Sequence, residues 1–194
     1  PAPIALQALT LQAAYDAASE TLDISALQVR QGEVSANARL SIEDLFGVAK
    51  VTFQASTENF PGSQLEHYWP PRLGIDARAW IIKNLEGGSV PKATVELAAS
   101  IDLSDPQSLA LTHLRGGIDF TGVTAHYFRP LPPVVQINGR AEFDQTKFDI
   151  TFDSGRLNDL IFSKSTARFL DLDTGQKRAA IEVSARGPIR TALE

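Results

Sequence analysis

Residues 94–103, TVELAASIDL, place Val95, Leu97, Ala99, Ile101 and Leu103 on one side of an extended chain, with Thr94, Glu96, Ser100 and Asp102 on the other. A helix would scatter these apolar side chains around its axis, so the stretch specifies a strand with one oily and one watery face. The same period of two recurs on both sides of it. Phe148, Ile150 and Phe152 alternate with Lys147, Asp149, Thr151 and Asp153, and Ile181, Val183 and Ala185 alternate with Glu182, Ser184 and Arg186.

Further strands are expected over 22–31, 34–42, 48–56, 109–120, 123–128, 134–143 and 160–171. Short turns join them, such as Gln31-Gly32, Ser154-Gly155 and the run from Asp171 to Gly175. A parallel pair would need a crossover of about a dozen residues or more, so neighbours joined this tightly run antiparallel. A weak internal echo points to repetition: Asn37–Ile42 with Val51–Ser56 is answered by Asn138–Phe143 with Ile150–Gly155.

One stretch breaks the meander. Residues 67–97, HYWPPRLGIDARAWIIKNLEGGSVPKATVEL, stop at Trp69-Pro70-Pro71, write a helix around 76–86, and resume as a strand. Asp76 is a suitable N-cap, Ile75 before it is placed to staple onto Trp80, and Gly87 supplies a left-handed residue to end the helix. Ala77, Ile81 and Leu85 form an apolar stripe widened by Trp80 and backed by Arg78, Lys83 and Glu86. A further helical turn is expected at 64–68, where the proline pair forbids continuation. The expected organisation is therefore 1–60 as repeat strands, 61–88 as a helical insertion and 89–187 as the main sheet, all in one continuous β segment.

Composition narrows the function classes. The formal charge is −5 with 18 Lys and Arg scattered along the chain, so no basic face is expected for nucleic acid or an anionic membrane surface. Without cysteine there is no disulfide, thiolate metal site or Cys nucleophile. No apolar run approaches the length of a membrane span, and no export signal is recognisable. The opening Pro1-Ala2-Pro3 and an end in which helix-competent residues follow Gly187-Pro188 and stop suggest a piece of a longer polypeptide.

No catalytic constellation is found. His67, His113 and His126 lack metal-ligand spacing; His113 and His126 are expected within strands and His67 beside an aromatic turn. Asp102, Asp105, Asp171 and Asp173 fall in turns, where Asp caps the backbone. The Pro-rich run 126–133 reads as a stiff connection. The chain is expected not to be an enzyme and to need no metal or cofactor.

About ten amphipathic strands with barely one helix must hide their apolar face by closing into a barrel, folding into a sandwich, or curling into a trough that meets a ligand. The face would be lined by Val95, Leu97, Ile101, Ile118, Phe120, Val135, Ile137, Phe143, Ile150, Phe152 and Val183. Two other readings stand beside the lipid-holding trough: a sandwich scaffold with a dry core that binds protein partners, and a carbohydrate-binding β domain.

Tyr68-Trp69-Pro70, then Ala77-Arg78-Ala79-Trp80-Ile81, then Leu85-Glu86-Gly87-Gly88 and Ala93–Leu97, resemble a signature of AsmA-like proteins of the YhdP and TamB group. Gly117–Phe120, Leu131–Pro133, Asn138–Ala141 and Ser154–Leu157 are similar to its continuation in the same order, so the resemblance spans roughly 65–187. It implies a long, curved, predominantly antiparallel sheet, an open trough or partly closed barrel, in a periplasmic bridge protein of Gram-negative bacteria anchored in the inner membrane. It also implies that the apolar sheet face holds phospholipid acyl chains on their way to the outer membrane, continued by neighbouring segments of the same polypeptide.

Overall fold

A strand with one apolar side gains little alone; it becomes stable when laid beside others that extend the same oily face. The computed structural model describes residues 7–69, 75–174 and 176–188, with the backbone alone for 75–77 and 106. The strands are β1 (Ala8–Asp16), β2 (Thr21–Gln31), β3 (Val34–Glu43), β4 (Val48–Pro61), β5 (Leu85–Glu86), β6 (Ser89–Asp102), β7 (Asp105–Ala125), β8 (Val134–Asp144), β9 (Phe148–Leu157), β10 (Leu160–Leu170), β11 (Arg178–Glu182) and β12 (Ala185–Arg186). A 3-10 turn (Gly62–Gln64) and two helices, α1 (Leu65–Tyr68) and α2 (Ile75–Asn84), lie between β4 and β5.

The strands form one sheet that is mostly antiparallel and does not close. Its order is β1-β2-β3-β4-β6-β7-β8-β9-β10-β11, with β12 beside β10 and β5 beside β7. The chain divides into two units. The first holds Pro1–Asn59, Lys92–Gly117 and Phe143–Gln145; the second holds Phe60–Pro91, Ile118–Glu142 and Thr146–Glu194.

Register carries the apolar face from strand to strand. In the first unit, Leu11 of β1 opposes Leu27 of β2, which opposes Ala38 of β3, which opposes Ala55 of β4. The row Ile24, Leu40, Phe53 follows the same path. In the second unit, Phe152 opposes Ser165, Ile150 opposes Ala167, and Ala167 opposes Ile181. A one-residue slip would turn each of these rows to water, so the pattern itself selects the register.

The alternation is interrupted in a consistent way. Two consecutive exposed residues separate apolar positions at Glu58-Asn59 in β4, Thr121-Gly122 in β7 and Ser163-Lys164 in β10. Asn59, Gly122 and Lys164 have φ of 56°, 67° and 47°, as does Gln136 of β8 at 54°. Each left-handed residue re-aims the side chains after it so that the strand continues with its oily side inward, and at Lys164 this happens without a change of register, Ser163 opposing Ser154 and Ser165 opposing Phe152. Hence the expected strands 109–120 and 123–128 are one strand, β7, which runs through Gly122 and ends before His126, Tyr127 and Phe128. Ser154-Gly155 lies inside β9 rather than in a turn. Conversely, the expected strand over Ile181–Arg186 is two, β11 and β12. It breaks opposite the Ser163-Lys164 irregularity, where the Ser184 N–H donates to Ser165 Oγ at 3.1 Å.

The insertion is a detour between two strands that are sheet neighbours, β4 and β6. Its two ends meet where the Gly62 N–H donates to the Gly88 carbonyl at 3.0 Å. A Cβ at Gly62 would collide with the Gly87 carbonyl, so this base requires glycine. Helix α2 ends at Asn84, earlier than the span 76–86, because Leu85 and Glu86 pair with Ala125 and Thr124 of β7. Gly87 is left-handed, φ 64°, but it serves the turn between β5 and β6 rather than the helix end. Helix α2 begins at Ile75, so Asp76 falls within its first turn. The cap and staple of Asp76 and Ile75, the side chain of Ala77, and Pro70-Pro71 lie outside the described residues.

Candidate functional site

What the sheet leaves uncovered defines the candidate site. Among the described residues only Ala49, Phe60, Ala99, Ile137, Ala141 and Ala167 are buried apolar side chains, and no large side chain is fully buried. A closed barrel or sandwich of this many strands would enclose Leu, Ile and Phe residues outright. Here the inward rows are half-exposed, a state that leaves apolar area in contact with water.

In the first unit the apolar face holds a groove of ≈ 210 Å³ lined almost wholly by apolar atoms. Leu27 and Val29 of β2 stand on one side and Ala93 and Val95 of β6 on the other, with Ala36, Ala38 and Ala55 between them. The groove is a consequence of side-chain size: its floor carries Ala36 and Ala38 of β3 and Ala55 and Thr57 of β4, small residues between strands bearing larger ones. The Leu40–Phe53 and Ile42–Val51 pairs that follow on β3 and β4 restore bulk beyond it. Its volume is below the several hundred Å³ usual for enclosed drug-sized ligands, so it suits a slim apolar chain lying along the face. Val95 is the one residue of the expected lining in this groove; Leu97 and Ile101 continue the same side of β6, half-buried.

In the second unit the face is built from aromatic rings laid over glycine. Phe120 of β7 lies over Gly139 of β8, where a Cβ would approach Phe120 Cζ to 3.0 Å and clash with the Thr151 carbonyl. The Phe120 ring then meets Phe152 of β9 edge to face, centroids 6.4 Å apart. Ile118 and Ile150 are half-buried and Ile137 is buried. Val134, rather than Val135, shares the side of Ile137: a Cβ on Gly155 would meet Val134 Cγ1 at 3.3 Å and Ile137 Cγ1 at 3.6 Å. The left-handed Gln136 between them shifts the alternation. Val183 falls in the gap between β11 and β12 and is 59% exposed. Phe143, which belongs to the first unit, covers Gly116 of β7.

Polar groups in these strands are consumed by structure. The Asn138 side chain bridges β7 and β9: its Oδ1 accepts from the Gly122 N–H at 2.9 Å, and its Nδ2 donates to Ser154 Oγ at 2.8 Å. Asp102 Oδ1 accepts from the Ser104 hydroxyl at 2.6 Å and the Ser104 N–H at 2.9 Å, which holds its carboxyl below the ordinary 3.8. Asp105 Oδ1 caps the Gln107 N–H, and the Asp171 carboxylate pairs with Arg178. Among the described residues no group of three or more His, Asp or Glu could hold a metal ion.

The signature residues of the insertion are placed as follows. Arg78 of α2 clamps the C-terminal end of α1, its Nε donating to the Trp69 carbonyl and its Nη2 to the Glu66 carbonyl, both at 3.0 Å. Tyr68 packs edge-on against Phe60 at 5.4 Å and against His67 at 5.2 Å. His126 Nε2 lies 3.0 Å from Glu86 Oε1 without forming a hydrogen bond. The apolar stripe expected along α2 is not formed as such: Ile81 is half-buried, Leu85 belongs to β5, and Trp80, expected to widen it, is 51% exposed. The groove residues of β2, β3 and β4 are absent from the expected lining, although Leu27-Val29 and Ala36-Ala38 alternate visibly in the sequence.

Compared with known proteins, the chain matches no family model, no curated protein and no solved structure. Fold and site thus define a class only: an open, mostly antiparallel β-sheet protein with a small helical insertion and an apolar, incompletely covered face. No helix among the described residues is long and apolar enough to cross a membrane.

Proposed function

We propose that this chain is a segment of a periplasmic lipid conduit whose apolar sheet face holds phospholipid acyl chains between the inner and outer membranes. The observation that carries this reading is the apolar groove between β2 and β6, floored by small residues, on a sheet in which no large side chain among the described residues is fully buried. The resemblance of residues 65–187 to AsmA-like proteins supports the same reading and supplies the compartment, the anchored full-length protein and the adjoining segments. Acyl chains suit such a track because their transfer from water is favourable by about 0.8 kcal/mol per buried methylene and needs no directional partner.

A scaffold with a dry core would bury its large apolar residues, and a carbohydrate site would present aromatic platforms with polar partners; neither feature accompanies the groove. Native mass spectrometry of protein purified without detergent tests the proposal. It expects adducts with phospholipid masses and uptake of a labelled phospholipid by stripped protein; lipid-free protein that takes up none would overturn it.

A further inference from the structure

Four large apolar side chains of the second unit stand in water away from the strand rows. Trp80 of α2 is 51% exposed, and in the loop 126–133 Tyr127, Phe128 and Leu131 are 45%, 66% and 45% exposed. The loop is fastened to the C-terminal end of the helix. The His126 N–H donates to the Asn84 carbonyl at 2.8 Å, and Arg129 Nη2 donates to the Lys83 carbonyl at 3.3 Å. Trp80 lies one turn back on that helix, its carbonyl taking the Asn84 Nδ2 at 2.8 Å. The loop has a defined tip, closed by the Leu131 N–H on the Phe128 carbonyl at 2.9 Å.

Two cations accompany the rings, Lys83 and Arg129, and residues 126–133 contain no acidic side chain. The Glu86 carboxylate lies against His126. Trp, Tyr and Phe rings flanked by Lys or Arg are the side chains that settle at the boundary between lipid headgroups and acyl chains, rings inward and cations at the phosphates. Exposed apolar residues gathered in this way mark an interaction surface.

We propose that Trp80, Tyr127, Phe128 and Leu131 form a membrane-docking tip whose partner is the headgroup interface of a phospholipid bilayer, with Lys83 and Arg129 paired to phosphates. The proposal goes beyond the acyl-chain reading and does not rest on it, since docking needs an intact bilayer and not an occupied groove. Nor does it need the broad basic face that the scattered charge denies, because the rings carry the insertion and only a local pair of cations meets phosphates.

The test uses the whole chain carrying Trp69→Phe, which leaves Trp80 as the sole tryptophan. With vesicles of phosphatidylglycerol and phosphatidylcholine, the protein is expected to float and its emission to shift to the blue. Quenching is expected from lipids brominated near the headgroup end of the acyl chains. Tyr127→Ser with Phe128→Ser removes two rings already in water, so the fold is retained while vesicle binding falls at least about tenfold. Lys83→Gln with Arg129→Gln weakens binding to phosphatidylglycerol vesicles more than to phosphatidylcholine alone. Ala38→Leu in the groove floats like the parent. Absent flotation, an unshifted Trp80 spectrum that marks a partner other than lipid, undiminished binding of the double serine variant, or loss of flotation in Ala38→Leu would each overturn the docking tip.

Discussion

Phe120 and Phe152 meet edge to face at 6.4 Å from strands that are not neighbours, because Gly139 on the strand between them carries no side chain. The pair ties β7 to β9 across β8 and makes the apolar face of the second unit continuous. A side chain at Gly139 must push Phe120 aside or bend β8 away from the Thr151 carbonyl, and overpacking of this kind costs about 1–3 kcal/mol. Gly139→Ala is therefore expected to lower the thermal midpoint and weaken the near-ultraviolet dichroism of the aromatic pair. Phe120→Leu in the same chain should recover part of the loss by clearing the ring from the new methyl.

Filling the groove separates ligand binding from stability. Ala38→Leu and Ala55→Leu place bulk on a face already open to water, so thermal midpoints should stay close to the parent. Uptake of a fluorescent phospholipid should fall sharply in both. Gln54→Leu, one residue from Ala55 on the opposite side of β4, should leave uptake unchanged and so serves as the control.

Arg78 provides a different kind of support. Its guanidinium satisfies two carbonyls at the end of a four-residue helix. Hydrogen bonds from a charged donor contribute about 1.5–3 kcal/mol where they are well made, with partial exposure reducing that. Arg78→Ala should speed amide exchange over residues 65–69 while leaving β9 and β10 protected. Arg78→Lys should restore only part of that protection, since an ammonium does not span both carbonyls as a planar fork does.

The turn between β6 and β7 should respond to acid. Asp102 is held below 3.8 chiefly by the Ser104 hydroxyl and then by the Ser104 N–H. A depressed carboxyl contributes stability that is present above its unfolded value and lost as pH falls through the folded value. Protection of the Ser104 amide, its exchange rate relative to the intrinsic rate at the same pH, is expected to be high above that range and to be lost on acidification below it. Ser104→Ala should move the Asp102 titration, followed by carboxyl NMR, upward toward 3.8.

How much of this was legible depends on what each feature rests upon. The strand at Val95–Ile101 is legible because the apolar residues Val95, Leu97, Ala99 and Ile101 repeat every second position, a signal independent of partners. β1 falls within the expected repeat strands of 1–60 but receives no bounds of its own there, although Leu9, Leu11, Ala13 and Tyr15 alternate, because alanine carries little strand preference. The irregularities at Thr121-Gly122 and Ser163-Lys164 depend on neighbouring strands, so the sequence offers only a glycine at one and nothing at the other. The end of α2 was misplaced because Leu85 and Glu86 are claimed by β7, a tertiary pairing that overrides local helix preference. The groove floor escaped notice because alanine reads as weak core, whereas here its small size creates the feature. Trp80 falls beside the helical stripe by its period, but no period reports that a side chain is left in water.

The most direct test of the conduit is site-specific photocrosslinking in living cells, with a photoreactive amino acid placed one position at a time at Leu27, Ala38 and Val95 on the groove side and at Arg39 and Gln54 on the opposite side. The account predicts phospholipid adducts at the three groove positions and none at the other two. Absence of lipid adducts at Leu27, Ala38 and Val95, or adducts equally strong on both sides of the sheet, would contradict it.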